Sequence, residues 1–313
     1  MIELQGLKFE FQKKNFFLLL PTFEKVNLEE ENKRKIGNKQ KYGGRKPVLE
    51  TAEQKLFFIL YYCKVYPTYD EGGLAWGIHR TMIGNWVLRY LPILQESLKR
   101  LGQIPPETGE EFNKKFCNNY EKIHFYRLKW KELFQEMLIT KSKKKFYSGK
   151  KLHTIKNTFI TNENGEVIFL GKTRKGKIHD YKMLLKDDLA NYLALDTPIF
   201  VDSAYIGMLK DFAGEEYISV SKKNTKLKKL TKEDKEFNTI LGSIRVQIEN
   251  TIGHVKRFKI VSNKLRNRII GSFGTVKLNL KHKALQICSA LQNLHKIFSI
   301  IFDFPTSLMI LKK

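Results

Sequence analysis

Two carboxylates in this 313-residue chain stand where carboxylates can do chemistry. Asp202 closes a short apolar run, Thr197–Val201, and is followed by Ser203-Ala204-Tyr205-Ile206-Gly207. At the C-terminal tip of a strand a carboxylate projects into the crevice where α/β sheets bind ligands. Alone, it is equally a turn or capping residue. Glu249 stands between Arg245 and Lys256. At about 100° per residue, steps of four and eleven rotate a helix by about 40° and about 20°, so the three residues share one stripe. A carboxylate between two cations suits a metal ion beside a phosphate backbone, with Glu249 on the cation and Arg245 and Lys256 on phosphates. The same pattern also fits an i,i+4 ion pair on a solvated helix.

Phosphate is the partner that the charge demands. The chain carries 57 Lys and Arg against 32 Asp and Glu, a formal net charge of +25. A surplus of that size repels itself unless a polyanion neutralises it. Lys141–Asn157 holds seven lysines and no acid, and His254–Arg268 holds six Lys and Arg and no acid. Flanking the two carboxylates, these runs read as a nucleic-acid track, with Lys150, Lys151, Arg245, Lys256 and Arg257 as contacts and a steep salt dependence. No stretch reaches the roughly 18 apolar residues of a membrane span, and no secretory leader is recognisable. Cys63, Cys117 and Cys288 lie far apart and form no metal-binding or disulfide pattern. The expected setting is cytoplasmic, associated with the nucleoid, and not a membrane.

The elements that must position these residues follow from periodicity. Residues 1–48 carry the basic, glycine-punctuated run Lys33–Lys46 and read as an arm or linker. Residues 49–101 are helical, with helices at Leu49–Lys64, Thr68–Trp76 and Thr81–Leu98. Tyr69–Arg89 meets the three demands of a helix-turn-helix: Gly73 where the helices cross, Gly77 for a left-handed turn, and Ile83 to pack the second helix. Thr81 would cap that helix, and Arg80, Asn85 and Arg89 would face DNA. A packed hairpin without DNA contact has the same spacing. Residues 102–120 read as a connector. Beyond it, Lys151–Asn162 and Glu166–Thr173 alternate around Asn164-Gly165 and make a hairpin. His179–Leu195 is helical, Thr197–Val201 and Tyr217–Val220 are strands, and Thr231–Phe258 is a long helix. That order predicts an α/β nuclease core over 121–296, followed by a tail at 297–313.

Five segments carry a more specific signal: FYSGKKLHTIKN (146–157), GKIHD (176–180), VDSAYIG (201–207), LTKEDKEFN (230–238) and RVQIENTIGHVKRFKI (245–260). In order and spacing they resemble bacterial insertion-sequence transposases of the IS-five group, in the Harbinger-like branch of the DDE endonuclease superfamily. GRKPVLETAEQ (44–54) and the helix pair after it are similar to the same family. The resemblance implies a mixed-sheet, ribonuclease-H-like α/β core behind a helix-turn-helix domain. It also implies double-stranded DNA as partner, at element ends and target, bound by a homodimer or larger assembly. Three acids would hold two divalent cations, Mg²⁺ or Mn²⁺, for in-line strand cleavage and transfer. Asp202 matches the second acid and Glu249 the third, and Arg245 and Lys256 complete an R-x3-E-x6-K signature.

The first acid of that family, in an Asp-Gly-Thr-Glu-like motif ahead of the YSGKK run, has no counterpart. No aspartate occurs between Asp70 and Asp180. Spacing puts Lys129-Trp130-Lys131-Glu132 at the motif, and LKWKELFQEMLITKSKKK does not read as strand-turn-strand. Three accounts are open: Glu132 or Glu136 substitutes, the chain binds DNA without cutting it, or the reading frame is locally shifted.

Overall fold

The computed structural model describes residues 13–37, 46–116, 126–134, 154–189, 192, 198–201, 218–222, 229–263 and 275–301. Local capping sets the first helices. Helix α2 (Ala52–Val65) starts at a reciprocal box in which the Thr51 side chain accepts from the Gln54 N–H and Gln54 answers the Thr51 N–H. Thr68 and Glu71 repeat the device for α3 (Tyr69–Trp76). Gly77 then turns left-handed at φ +63°, and α4 (Arg80–Arg100) follows. The cap of α4 is His79 and not Thr81, because the imidazole Nδ1 accepts from the Thr81 N–H at 3.4 Å.

Residues 13–37 are not an arm. They form α1 (Lys13–Gly37), which buries Leu19, Phe23 and Val26 against α2 and α4. Its glutamates fix the contact: Glu29 takes two bonds from Arg100, at 2.8 and 2.7 Å, and Glu31 meets both Lys55 and Arg89 at 3.1 Å. The aromatic centre is Phe58, edge-on to Trp76 and Trp86 with ring centroids 5.5 and 5.1 Å away. Nor is 102–120 bare connector, since α5 (Gly109–Phe116) inserts the fully buried Phe112 beneath the sheet.

Among the described residues the sheet has six strands: β1 (Tyr126–Phe134), β2 (Thr154–Thr161), β3 (Val167–Leu170), β4 (Arg174–Lys175), β5 (Ile199–Val201) and β6 (Ile218–Val220). Its order is β3-β2-β1-β5-β6, with β4 on β2. β3, β2 and β1 run antiparallel, while β1, β5 and β6 run parallel. The expected hairpin is present, and Gly165 supplies the positive φ, +74°, of its turn. β1 is the departure: a stretch that did not read as a strand occupies the sheet's centre. Its Tyr126-Arg127-Leu128-Lys129-Trp130-Lys131 does alternate apolar with cationic residues, and pairing on both sides selects the extended form.

Both faces of the sheet are covered, which is why all of β2 is buried. Ile160, Ile199 and Val201 pack with Phe112 of α5 and Leu184 of α6 (Asp180–Lys186). Ile155 and Phe159 belong to the opposite cluster, with Ile248, Ile252 and Val255 of α7 (Lys232–Lys256). That cluster continues through α8 (Lys259–Ser262) and α9 (Thr275–Ile301) into the first four helices, so one apolar core runs across the boundary expected near residue 101. α9 passes the expected end at 296 and covers an edge of the sheet. There the Asn293 amide accepts from the Val167 N–H at 2.7 Å and donates to its carbonyl at 2.9 Å. α6 is shorter than the expected helix over 179–195 and ends at Lys186. Among the described residues no helix is long and apolar enough to cross a membrane.

Candidate functional site

α7 starts at the Thr231–Asp234 capping box, tied down by Lys222, whose ammonium lies 2.5 Å from the Asp234 carboxylate. Leu241, Ile248, Ile252 and Val255 turn one face of the helix toward β1 and β5. Thr251 Oγ1 donates to the Gly165 carbonyl at 3.1 Å and pins the helix to the hairpin turn. Glu249 follows the buried Ile248 but remains at the surface. Its carboxylate meets Arg245 Nε at 3.4 Å, with the two side chains 45% and 53% exposed. Lys256 is half-buried and Arg257, at the helix end, is exposed. The Arg245–Glu249 pair and Lys256 therefore occur on one helix as the spacing predicted.

Asp202 follows Val201, the last residue of β5, and lies outside the described residues, as do Glu136, Lys150 and Lys151. The register around it is described. Tyr126, Arg127 and Leu128 of β1 pair in parallel with Ile199, Phe200 and Val201, so the next residues in the two chains are Lys129 and Asp202. Lys129 pairs on its other side with Phe159, a member of the cluster that contains Ile248 and Ile252 of α7. Glu132 pairs with Lys156, whose ammonium donates to the Ile178 carbonyl just before α6, on the opposite face of the sheet.

In the helix pair, Gly73 and Gly77 do what their spacing required. A Cβ on Gly73 would come within 2.7 Å of the Ile78 carbonyl oxygen, and Gly77 holds the left-handed turn. Ile83 is fully buried, its branches lying about as close to Gly72 as a methyl would tolerate. Arg80 and Asn85 are exposed, with Arg80 3.1 Å from Asp70. Arg89 is placed otherwise than expected. It is half-buried, bonds Glu31 of α1 at 3.1 Å and lies over the Tyr90 ring at 5.4 Å. Burial pushes the Glu31 carboxyl up, but the bonds from Lys55 and Asn27 outweigh it and hold the group below its usual range. Glu31 is thus a partner of Arg89 that the sequence reading missed; its signal was the acidic triplet Glu29–Glu31 just ahead of the run Lys33–Lys46 that was read for its lysines.

Among the described residues no three His, Cys, Asp or Glu side chains lie close enough to hold a metal ion. The residue after Leu128, where the described β1–β5 pairing ends, is Lys129, a cation and not a carboxylate.

Comparison with known proteins agrees with the motifs. The family described as DDE superfamily endonuclease matches residues 134–293 and so begins just after Lys129–Glu132. Members of that superfamily generally use divalent metals. A probable transposase for insertion sequence element IS702 from Microchaete diplosiphon is 31% identical over 240 residues, covering 74% of this chain and 78% of that one. No solved structure matches. With a matching domain over half of its residues and a relative aligned along most of its length, the chain belongs to the DDE-superfamily insertion-sequence transposases.

Proposed function

We propose that this chain binds insertion-element DNA through the α3–α4 pair and its basic surfaces, on a ribonuclease-H-like core that does not cut DNA as encoded. The strand order, antiparallel on one side of β1 and parallel on the other, supports that core. The observation that carries the loss of cleavage is the β1–β5 register. If the pleat runs one residue past Leu128 and Val201, position 129 becomes the neighbour of 202, on the face covered by the helix of Glu249. An ammonium there opposes cation binding where the family reaction needs a carboxylate. Glu132 is a poor substitute, being three residues away and hence in the opposite set of the pleat, beside Lys156.

The test uses the intact chain and labelled element-end duplexes. The unmodified protein should retard the duplex and leave it unnicked in Mg²⁺ or Mn²⁺. Lys129→Asp, alone or with Trp130→Gly and Lys131→Thr, should restore cation-dependent nicking. Nicking by the unmodified protein that Asp202→Ala abolishes would overturn the reading, and Glu132→Gln would then locate the first acid. A second reading, a local shift of frame, is favoured by the domain match starting at residue 134. An Asp-Gly-Thr-Glu sequence in a neighbouring frame of the coding DNA across residues 120–150 would establish it.

A further inference from the structure

Outside the two lysine-rich runs, a third cationic surface occupies the edge of the sheet. Residues 171–186 (GKTRKGKIHDYKMLLK) contain six Lys and Arg and one acid, Asp180. β3 and then β4 line the same edge of β2, and the chain passes from β4 directly into α6. Lys172, Lys177, Lys182 and Lys186 are exposed. Lys182 and Lys186 are one helical turn apart on α6 and so share a stripe.

The acids nearby are largely engaged elsewhere. Asp187 is buried against Arg174, and Glu107 is 2.6 Å from His282 and only 3.9 Å from Lys172. Asp188 is exposed. Four exposed lysines therefore gather within one turn of chain and one short helix, a density that repels itself without an anionic partner.

The position of this ridge names the partner. β4 pairs with β2 at Ile155 and Lys156, and those residues pair with β1 at Leu133 and Glu132. The ridge is therefore at the end of the sheet toward which β5 runs, beyond the Leu128–Val201 pair. Four residues of strand cover about 13 Å, and the strand spacings between β5 and β4 cover about 14 Å. Together they put β4, where the ridge begins, about 20 Å from the tip of β5, and the ridge continues onto α6, which covers the face opposite α7.

We propose that Lys172, Lys177, Lys182 and Lys186 form a phosphate-binding ridge for duplex DNA along the edge of the sheet. The inference rests on the DNA-binding reading above. Lysines on a strand edge and a short helix contact phosphates without reading bases, so the ridge contributes equally to element-end and unrelated duplexes.

The experiment measures binding of the full chain to both duplexes across a salt series. The triple variant Lys177→Ala/Lys182→Ala/Lys186→Ala should lower the slope of log affinity against log salt by up to about 2.7, at about 0.9 per phosphate contact. The matching triple arginine variant should keep the slope, and Lys25→Ala/Lys114→Ala/Lys235→Ala should leave it unchanged. If the unmodified chain binds neither duplex, the DNA-binding reading itself falls. If it binds and the triple alanine variant keeps the full slope, the ridge is refuted while DNA binding stands. A loss confined to the element-end duplex overturns the phosphate assignment, and a misfolded alanine variant leaves the decision to the arginine variant, whose loss of slope would refute the ridge.

Discussion

Three glycines around the α3–α4 turn allow a prediction in which steric space, and not helix propensity, sets the order. Replacing Gly72, Gly73 or Gly77 by Ala adds the same methyl in three surroundings. At Gly72 the new Cβ would lie 3.2 Å from a branch of Ile83, a side chain that can yield. Ala there gains about 0.8–1 kcal/mol of helix propensity, and the repacking of Ile83 offsets part of it. At Gly77 the methyl meets open space, but φ is +63°. The left-handed conformation costs about 1–2 kcal/mol, less about 0.4–1 kcal/mol regained from a stiffer unfolded chain. At Gly73 the Cβ would lie 2.7 Å from the Ile78 carbonyl oxygen, a backbone atom, while the Gly73 carbonyl accepts from the Ile78 N–H at 2.9 Å. Relief must move the turn, at about 1–3 kcal/mol beyond the propensity gain. Expected stability is therefore Gly72→Ala near the unmodified protein, Gly77→Ala about 1 kcal/mol below it, and Gly73→Ala lowest. Urea unfolding followed by tryptophan fluorescence reads this part of the molecule, because Trp76 and Trp86 meet edge-on at 6.2 Å beside these glycines. Gly73→Ala proving as stable as Gly72→Ala would refute the argument that this turn cannot yield.

Phe112→Ala should lower stability by about 3–5 kcal/mol, since the ring is fully buried and edge-on to Phe169; a urea midpoint close to that of the unmodified chain would show that α5 is not part of the core. Arg174→Met leaves Asp187 buried without its cation, and a loss of about 3–5 kcal/mol is expected. Asp187 is already pushed above the usual carboxylate range by burial, so the double variant with Asp187→Asn should recover most of that loss in the same urea assay. Burial brings Lys281 down to about 8 while its ammonium donates to the Ile260 and Asn263 carbonyls. Above pH 8 the folded chain holds fewer protons on this group than the unfolded one, so its contribution to stability rises with pH up to about 10.4. Lys281→Met should remove that rise, and parallel pH profiles for the two proteins would contradict it.

Local chemistry made much of the fold legible. Apolar periodicity located α2, α3 and α7, and Asn164-Gly165 located the hairpin, whereas the one cap expected, Thr81, gave way to His79. What escaped was decided by partners remote in sequence. α1 is a helix because Leu19, Phe23 and Val26 fill the core between α2 and α4, while its charges suggested a solvated arm. β1 alternates, but its polar set is Arg127, Lys129 and Lys131, and central cationic strands are unexpected until pairing on both sides is known. Arg89 was correctly placed on α4 but not in space, because Glu31 comes from a helix 58 residues earlier. In the candidate site, the stripe of Arg245, Glu249 and Lys256 followed from helical geometry alone. That Lys129 follows directly on the Leu128–Val201 pair needed the strand register, which spacing does not supply.

The physics of folding and the chemistry of the site make separate demands on this sequence. The described core is built from two apolar clusters, one on each face of the sheet, and neither contains a candidate metal-binding carboxylate. Exchanging an acid for a lysine at position 129 keeps the alternation of β1. Such a change is nearly neutral for stability, since acid and lysine are both disfavoured in strands to similar degrees. For a site that gathers carboxylates around a cation, the same exchange alters the local charge by two units at the worst place. A transposase chain can therefore retain the family's order of segments, its helix pair and its basic surfaces after strand cleavage has been lost. Family membership follows from the matching domain and the relative aligned along most of this chain, while on the reading proposed above cleavage depends on position 129 of β1.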